Sequence, residues 1–124
     1  RSWDIRPEPL NMESSFHPVN INIYKNLPKK FIPNTESLKD TYERVVKFYE
    51  ENIKSDLIDK NILISAHGNS IRALCKYLFK LDNNQVSKLE IPTGNPLLIE
   101  IDQKHNIKNC NYLDKERAKD LVIF

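Results

Sequence analysis

Asn61-Ile62-Leu63-Ile64-Ser65-Ala66-His67-Gly68-Asn69-Ser70-Ile71-Arg72-Ala73-Leu74 decides the fold. The run through Ala66 is short, β-branched and apolar on both faces, the pattern of a strand buried on both sides of a parallel sheet. Beyond His67-Gly68-Asn69-Ser70, the apolar residues Ile71, Leu74, Cys75, Leu78 and Phe79 recur at helical spacing. The chain thus passes from strand through a tight turn into a helix, half of a βαβ unit. The predicted class is α/β, with this strand central in the sheet.

Upstream, Leu38, Tyr42, Val45, Val46, Tyr49 and Ile53 line one face of a predicted amphipathic helix. Lys39, Asp40, Glu43, Arg44, Lys47, Glu50 and Glu51 fill the other. Asn34 or Thr35 is the expected N-cap, with Glu36 in the first turn, and residues 54–60 form a polar break. Residues 1–33 carry most of the seven prolines and no sustained period, so they read as a long covering loop with one or two brief turns. A loop of that length belongs to a lid, a binding loop or part of a larger body.

Downstream, Asn83 or Asn84 caps a short predicted helix ending at Leu89. Pro92-Thr93-Gly94-Asn95-Pro96 is a compact turn into a strand over 97–101, and residues 102–106 connect it to a second strand over 107–113. Asp114 is the expected cap of a terminal helix from Lys115 to about Leu121.

The 124 residues hold one modest core. Nineteen basic against 17 acidic residues give a net charge of +2 with the lysines scattered, so the basic stripe that nucleic acid requires is missing. No apolar run reaches the ~18–20 residues of a membrane span, and the first nine residues lack the apolar stretch of a signal peptide. The expected setting is cytoplasmic. Cys75 and Cys110 have no CxxC or Cys/His ligand spacing and read as idle thiols. The sequence opens on Arg1 rather than methionine, which suggests part of a longer product.

Only two glycines occur, Gly68 and Gly94, both in turns at predicted strand ends, where geometry or close approach excludes a side chain. Ligands of open parallel sheets bind at the carboxyl ends of strands, and a helix starting there offers free N–H groups and a positive dipole end to an anion. Gly68 admits the main chain, Asn69 and Ser70 add short polar groups, and His67 can donate to a phosphoryl oxygen or move a proton. A histidine at a strand end is also often a hydrogen-bonded core residue, and Asn69-Ser70 can be an N-cap, so spacing alone leaves both readings open. GxxxxGK[ST], GxGxxG and GxSxG do not occur. His17 and His105 lack ligand partners at metal spacing and read as solvated or structural. Among the arginines, Arg44 and Arg117 read as solvated helix-face charges and Arg72 as a structural group near the site helix.

Ile62 through Leu74, followed by Ile91-Pro92-Thr93-Gly94-Asn95-Pro96-Leu97, closely resembles the carboxyl-terminal half of cofactor-dependent phosphoglycerate mutases, in the histidine phosphatase superfamily. Arg1-Ser2-Trp3-Asp4-Ile5 resembles the family's Arg-Arg-Ser-Tyr-Asp segment, and Thr35-Glu36-Ser37-Leu38-Lys39-Asp40-Thr41 the helix after it. The resemblance spans essentially the whole chain. It implies an α/β three-layer fold with a mainly parallel sheet, of which residues 1–124 are the carboxyl-terminal part of a single domain. It also implies metal-independent interconversion of 3-phosphoglycerate and 2-phosphoglycerate through a phosphohistidine primed by 2,3-bisphosphoglycerate. By that resemblance His67 stabilises the phosphoryl group in flight, Gly68 and Asn69 contact substrate, and Arg1 matches the second of two arginines that hold it. A homo-oligomer, dimer or tetramer, is implied at full length.

The sequence departs from the family at the nucleophile. The Arg-His-Gly motif, the upstream glutamate proton donor and the first arginine of the pair do not occur here. Without the nucleophilic histidine the chain alone is expected to be inactive. Two alternatives stand beside the mutase: a phosphatase of the same superfamily, in which water takes the phosphoryl group, and a non-catalytic phosphate-binding module.

Overall fold

The computed structural model describes residues 2–119, so Arg1 and the end of the expected terminal helix lie outside it. The leading segment is irregular, as its prolines dictate, but it holds three 3-10 turns, Pro18–Asn20, Asn22–Tyr24 and Lys29–Phe31, rather than one or two. His17 caps the first turn. Its Nδ1 accepts the Val19 N–H at 3.2 Å, and the ring is fully buried.

Residues 3–7 are strapped across the start of the first helix. The Lys39 N–H donates to the Trp3 carbonyl at 2.9 Å, and the Thr35 hydroxyl to the Pro7 carbonyl at 2.6 Å. Arg6 forks onto both Asp40 oxygens at 2.7 Å. The Trp3 ring meets Tyr42 edge-on at 5.5 Å and lies under the Lys76 ammonium at 4.6 Å.

Helix α1 spans Leu38–Asn52, and its N-cap is Ser37 rather than Asn34 or Thr35. The Asp40 N–H donates to the Ser37 hydroxyl oxygen at 3.1 Å, while an Asp40 oxygen accepts the Ser37 N–H and hydroxyl, each at 2.8 Å. This reciprocal pair satisfies two otherwise orphaned donors, which neither Asn34 nor Thr35 can match. Hydrogen bonds from Arg6 and then Ser37 hold the Asp40 carboxyl well below the usual carboxylate range. We expect Ser37→Ala to cost about 1 kcal/mol in urea unfolding; an unchanged midpoint would show that the cap does not carry the helix start.

The 3-10 turn Lys54–Ile58 replaces the expected polar break. Helix α2 spans Gly68–Phe79, ends on Lys80 in the left-handed region at φ 53°, and buries Arg72, Ala73, Leu74 and Cys75. It packs on α1 through Tyr49 and Tyr77, edge to face at 5.8 Å, and the Tyr77 hydroxyl donates to Glu50. Helix α3, Asn83–Lys88, is capped by Asp82 in a second reciprocal box with Gln85, one residue before the expected cap.

Strands β1, Leu97–Ile101, and β2, Ile107–Tyr112, form an antiparallel hairpin pairing Leu97 with Tyr112 and Ile99 with Cys110, with a bulge at Glu100/Ile101. The Asp102 carboxylate closes its turn by accepting the Lys104 and Asn106 N–H groups at 2.8 Å. Val86, Leu89, Cys110, Tyr112 and Ala118 join the buried residues of α2 in the core.

Two expectations change. Asp114 accepts the Arg117 N–H at 3.1 Å as a cap does, but the described residues after it make bends and a turn, not a helix. The Asn95 side chain holds the Asp114 N–H and carbonyl in two 2.9 Å hydrogen bonds, so the main chain at the expected helix start is already engaged by a distant residue.

The second change concerns the run 61–66. The hairpin is the only sheet among the described residues, and it is antiparallel, so the run has no ladder partner there. Nor is it buried: Leu63 is 91% exposed, with Ile62 at 37% and Ile64 at 40%. A strand exists only against hydrogen-bonded neighbours, and no described segment supplies them.

Candidate functional site

The turn from His67 to Ser70 carries the candidate chemistry. The His67 backbone is extended, and its carbonyl accepts the Ser70 and Ile71 N–H groups at 2.9 and 3.1 Å, starting α2. The His67 side chain makes no capping bond and is exposed, leaving its ring available to a ligand. No acidic residue occupies the first turn of α2, so nothing there neutralises the helix dipole.

Arg72, one turn along, is 7% exposed and reaches back across this turn. Its Nη1 donates to the Asn69 Oδ1 at 2.8 Å and its Nε to the Leu89 carbonyl at 2.6 Å, with a Glu90 carboxylate oxygen 3.8 Å from Nη2. Guanidinium offers only donors, so the Asn69 amide must present its oxygen to Arg72. Its NH2 group therefore faces the other way, as a donor on an exposed residue.

The two glycines separate. Gly94 sits at φ +68°, a conformation that strains ordinary side chains and favours glycine, as its place in the turn predicts. Gly68 has no such constraint, and a Cβ there would meet only Arg72 Nη1, at an ordinary 3.5 Å. The expected exclusion of a side chain at Gly68 thus does not come from packing against described residues.

Arg117 is not simply a solvated charge. It donates to the Thr93 carbonyl at 2.8 Å and the Gly94 carbonyl at 3.4 Å, stitching the Pro92–Pro96 turn together. Arg44 keeps an exposed fork on Glu36, at 2.6 and 2.9 Å, consistent with a surface charge. His17 is structural, as its burial and cap show, and His105 occupies a left-handed hairpin position at φ 61°. Cys75 and Cys110 are both free and buried, and burial pushes the Cys75 thiol up to about 12. Neither is a nucleophile in this state. Among the described residues no group of three His, Cys, Asp or Glu side chains is placed to hold a metal, and no helix is long and apolar enough to cross a membrane.

Beside the turn lies an apolar groove of about 410 Å³ between α1, α2 and the run 61–66, lined by Val45, Phe48, Ile53, Ile64 and Ile71 among others. It does not include His67, Gly68 or Asn69, and its lining suits packing rather than anion binding.

Sequence reasoning finds the turn and the place of Arg72. It misses the Asn95–Asp114 clasp and the Arg117 contacts, which join residues 19 to 24 positions apart and leave no local signal. The sequence profile of the histidine phosphatase superfamily (branch 1) matches residues 10–112. The chain is 67% identical over 125 residues to a protein of Pelagibacter ubique (strain HTCC1062) named 2,3-bisphosphoglycerate-dependent phosphoglycerate mutase, covering 100% of this chain and 52% of that protein. Proteins of the same name from Maricaulis maris (strain MCS10) and Hyphomonas neptunium (strain ATCC 15444) are 40% and 46% identical, each covering 98% of this chain and 51% and 50% of those proteins. The chain spans about half the length of the curated relatives it matches.

Proposed function

Because the chain belongs to the histidine phosphatase superfamily, branch 1, we propose that residues 1–124 are one part of a single mutase domain. They supply a wall of the site that interconverts 3-phosphoglycerate and 2-phosphoglycerate. The observation that carries this reading is the 67% identity to a named mutase along the whole chain. Priming by 2,3-bisphosphoglycerate, homo-oligomeric assembly and a cytoplasmic setting belong to the same proposal.

The residues of the turn suit a phosphate. The outward Asn69 amide donor, the exposed His67 ring and a helix start without acidic side chains all have the polarity an anion requires. Phosphoryl transfer passes through a loose transition state, so the protein's task is to position the group and stabilise charge on its equatorial oxygens. In this reading His67 donates to a phosphoryl oxygen, Asn69 donates from its NH2 group, and the main chain at Gly68 approaches closely. Arg1, outside the described residues, is assigned to substrate binding through the family resemblance. The covalent step needs a nucleophilic histidine in an Arg-His-Gly setting, which this sequence does not contain. It is therefore assigned to the part of the domain that this chain does not span.

The same reading gives the run 61–66 its missing neighbours. Parallel strands from the remainder of the domain pair with its two edges, and helices on either side of that sheet bury its apolar faces.

The test is phosphorus NMR of the full-length protein with 3-phosphoglycerate. Appearance of 2-phosphoglycerate, accelerated by catalytic 2,3-bisphosphoglycerate and without matching orthophosphate release, is the expected result. Orthophosphate as the main product assigns the phosphatase alternative, and no reaction removes catalysis altogether.

A further inference from the structure

We infer that Arg72 is a positioning residue of this site: it selects the one orientation of the Asn69 carboxamide in which the turn presents donors, and not an acceptor, to an anion. The inference rests on the phosphate-site reading above and adds to it a residue that does not itself touch the substrate. Three observations carry it. Arg72 is buried, so its guanidinium is held by the protein rather than by water. Its Nε is anchored on the Leu89 carbonyl at 2.6 Å, across 17 residues of sequence, which fixes the plane of the fork. From that plane Nη1 meets Asn69 Oδ1 at 2.8 Å.

An exposed asparagine otherwise flips its amide at little cost, presenting its oxygen as readily as its nitrogen. Beside a guanidinium the flipped form sets two donors against each other and loses a charge-assisted hydrogen bond. The outward NH2 is therefore preorganised before any ligand arrives, which is where the affinity for an anion originates. The anchor also ties the His67–Ser70 turn to Leu89, which lies just before the Ile91–Leu97 motif.

The experiment is a double-variant cycle in the full-length protein, reading kcat and KM for 3-phosphoglycerate. Arg72→Lys keeps the charge and can still reach one carbonyl, but it has no fork. We expect it to lower kcat/KM about tenfold to a hundredfold. Asn69→Ala lowers it comparably, and adding Arg72→Lys to Asn69→Ala costs less than about twofold more, because Arg72 acts through the side chain already removed. Full multiplication of the two losses overturns the inference and leaves Arg72 a purely structural residue.

Asn69→Asp provides a second arm that leaves Arg72 untouched, should Arg72→Lys fail to fold. Arg72 holds the carboxylate in the amide's place, an oxygen then faces the anion, and kcat/KM falls below that of Asn69→Ala. An Asn69→Asp variant no worse than Asn69→Ala overturns the inference too. If the wild-type protein shows no mutase activity, the phosphate-site reading fails separately. 15N relaxation of the Asn69 side-chain NH2 then decides the orientation: rigid in the wild type, mobile in the Arg72→Lys variant. A mobile side-chain amide in the wild type removes the positioning role.

Discussion

If the proposed mutase reading holds, replacing His67 with alanine in the full-length protein is expected to lower the turnover of 3-phosphoglycerate by about 10²–10³, the loss typical of one preorganised donor to a developing oxyanion. The melting temperature stays within about 2 °C. The two halves of this expectation come from the same local structure. His67 starts α2 with its main chain, through the carbonyl bonds to Ser70 and Ile71, so alanine keeps the helix start. Its ring is exposed and makes no capping bond, so the helix start among the described residues does not rest on it. Steady-state kinetics beside a thermal melt decide the matter. Near-normal turnover removes His67 from the site, whereas lost turnover with a collapsed melt makes it a folding residue.

Leu63→Asp has two different costs in two settings. In the chain by itself, where Leu63 is 91% exposed, we expect a stability change within about 0.5 kcal/mol. In the full-length protein the parallel-sheet proposal buries residue 63 between strands and helices, and an unpaired carboxylate there costs several kcal/mol. Denaturant unfolding of both forms, with and without the substitution, measures the difference directly. Equal, small effects in both would leave the run 61–66 an exposed segment and deny it a place in the sheet. Hydrogen exchange separates the same two outcomes residue by residue, since amides of 62–66 open in the chain become protected in the sheet.

Elements fixed by local chemistry are legible in the sequence. The apolar face of α1, the helix following His67 and the hairpin about residues 102–106 follow from periodicity and turn residues and stand in the structure. Helix starts differ by one to three residues where a reciprocal box, Ser37 with Asp40 or Asp82 with Gln85, outcompetes a lone asparagine or threonine. Residues 115–119 do not form the helix expected there, and a cap signal at Asp114 cannot reveal that Asn95 already holds its main chain. The strand expected at 61–66 illustrates a deeper limit. An apolar run reports that it needs burial, but its partners are not encoded within it. At the site, residue identities and position along α2 are readable, while the Arg72 fork is not, because its anchor is a backbone carbonyl that every residue possesses.

The buried thiols make the protein its own opening clock. Cys75 is 2% exposed on α2 and Cys110 is 8% exposed on β2, and the Cys75 thiol is held protonated far above neutral pH. A disulfide reagent can therefore reach Cys75 only while the packing that buries it opens. The rate of modification at neutral pH then counts those excursions without any introduced label. Because Cys75 lies in the same buried stretch of α2 as Arg72, a ligand that slows its labelling reports tightening transmitted from the His67–Ser70 turn into the core.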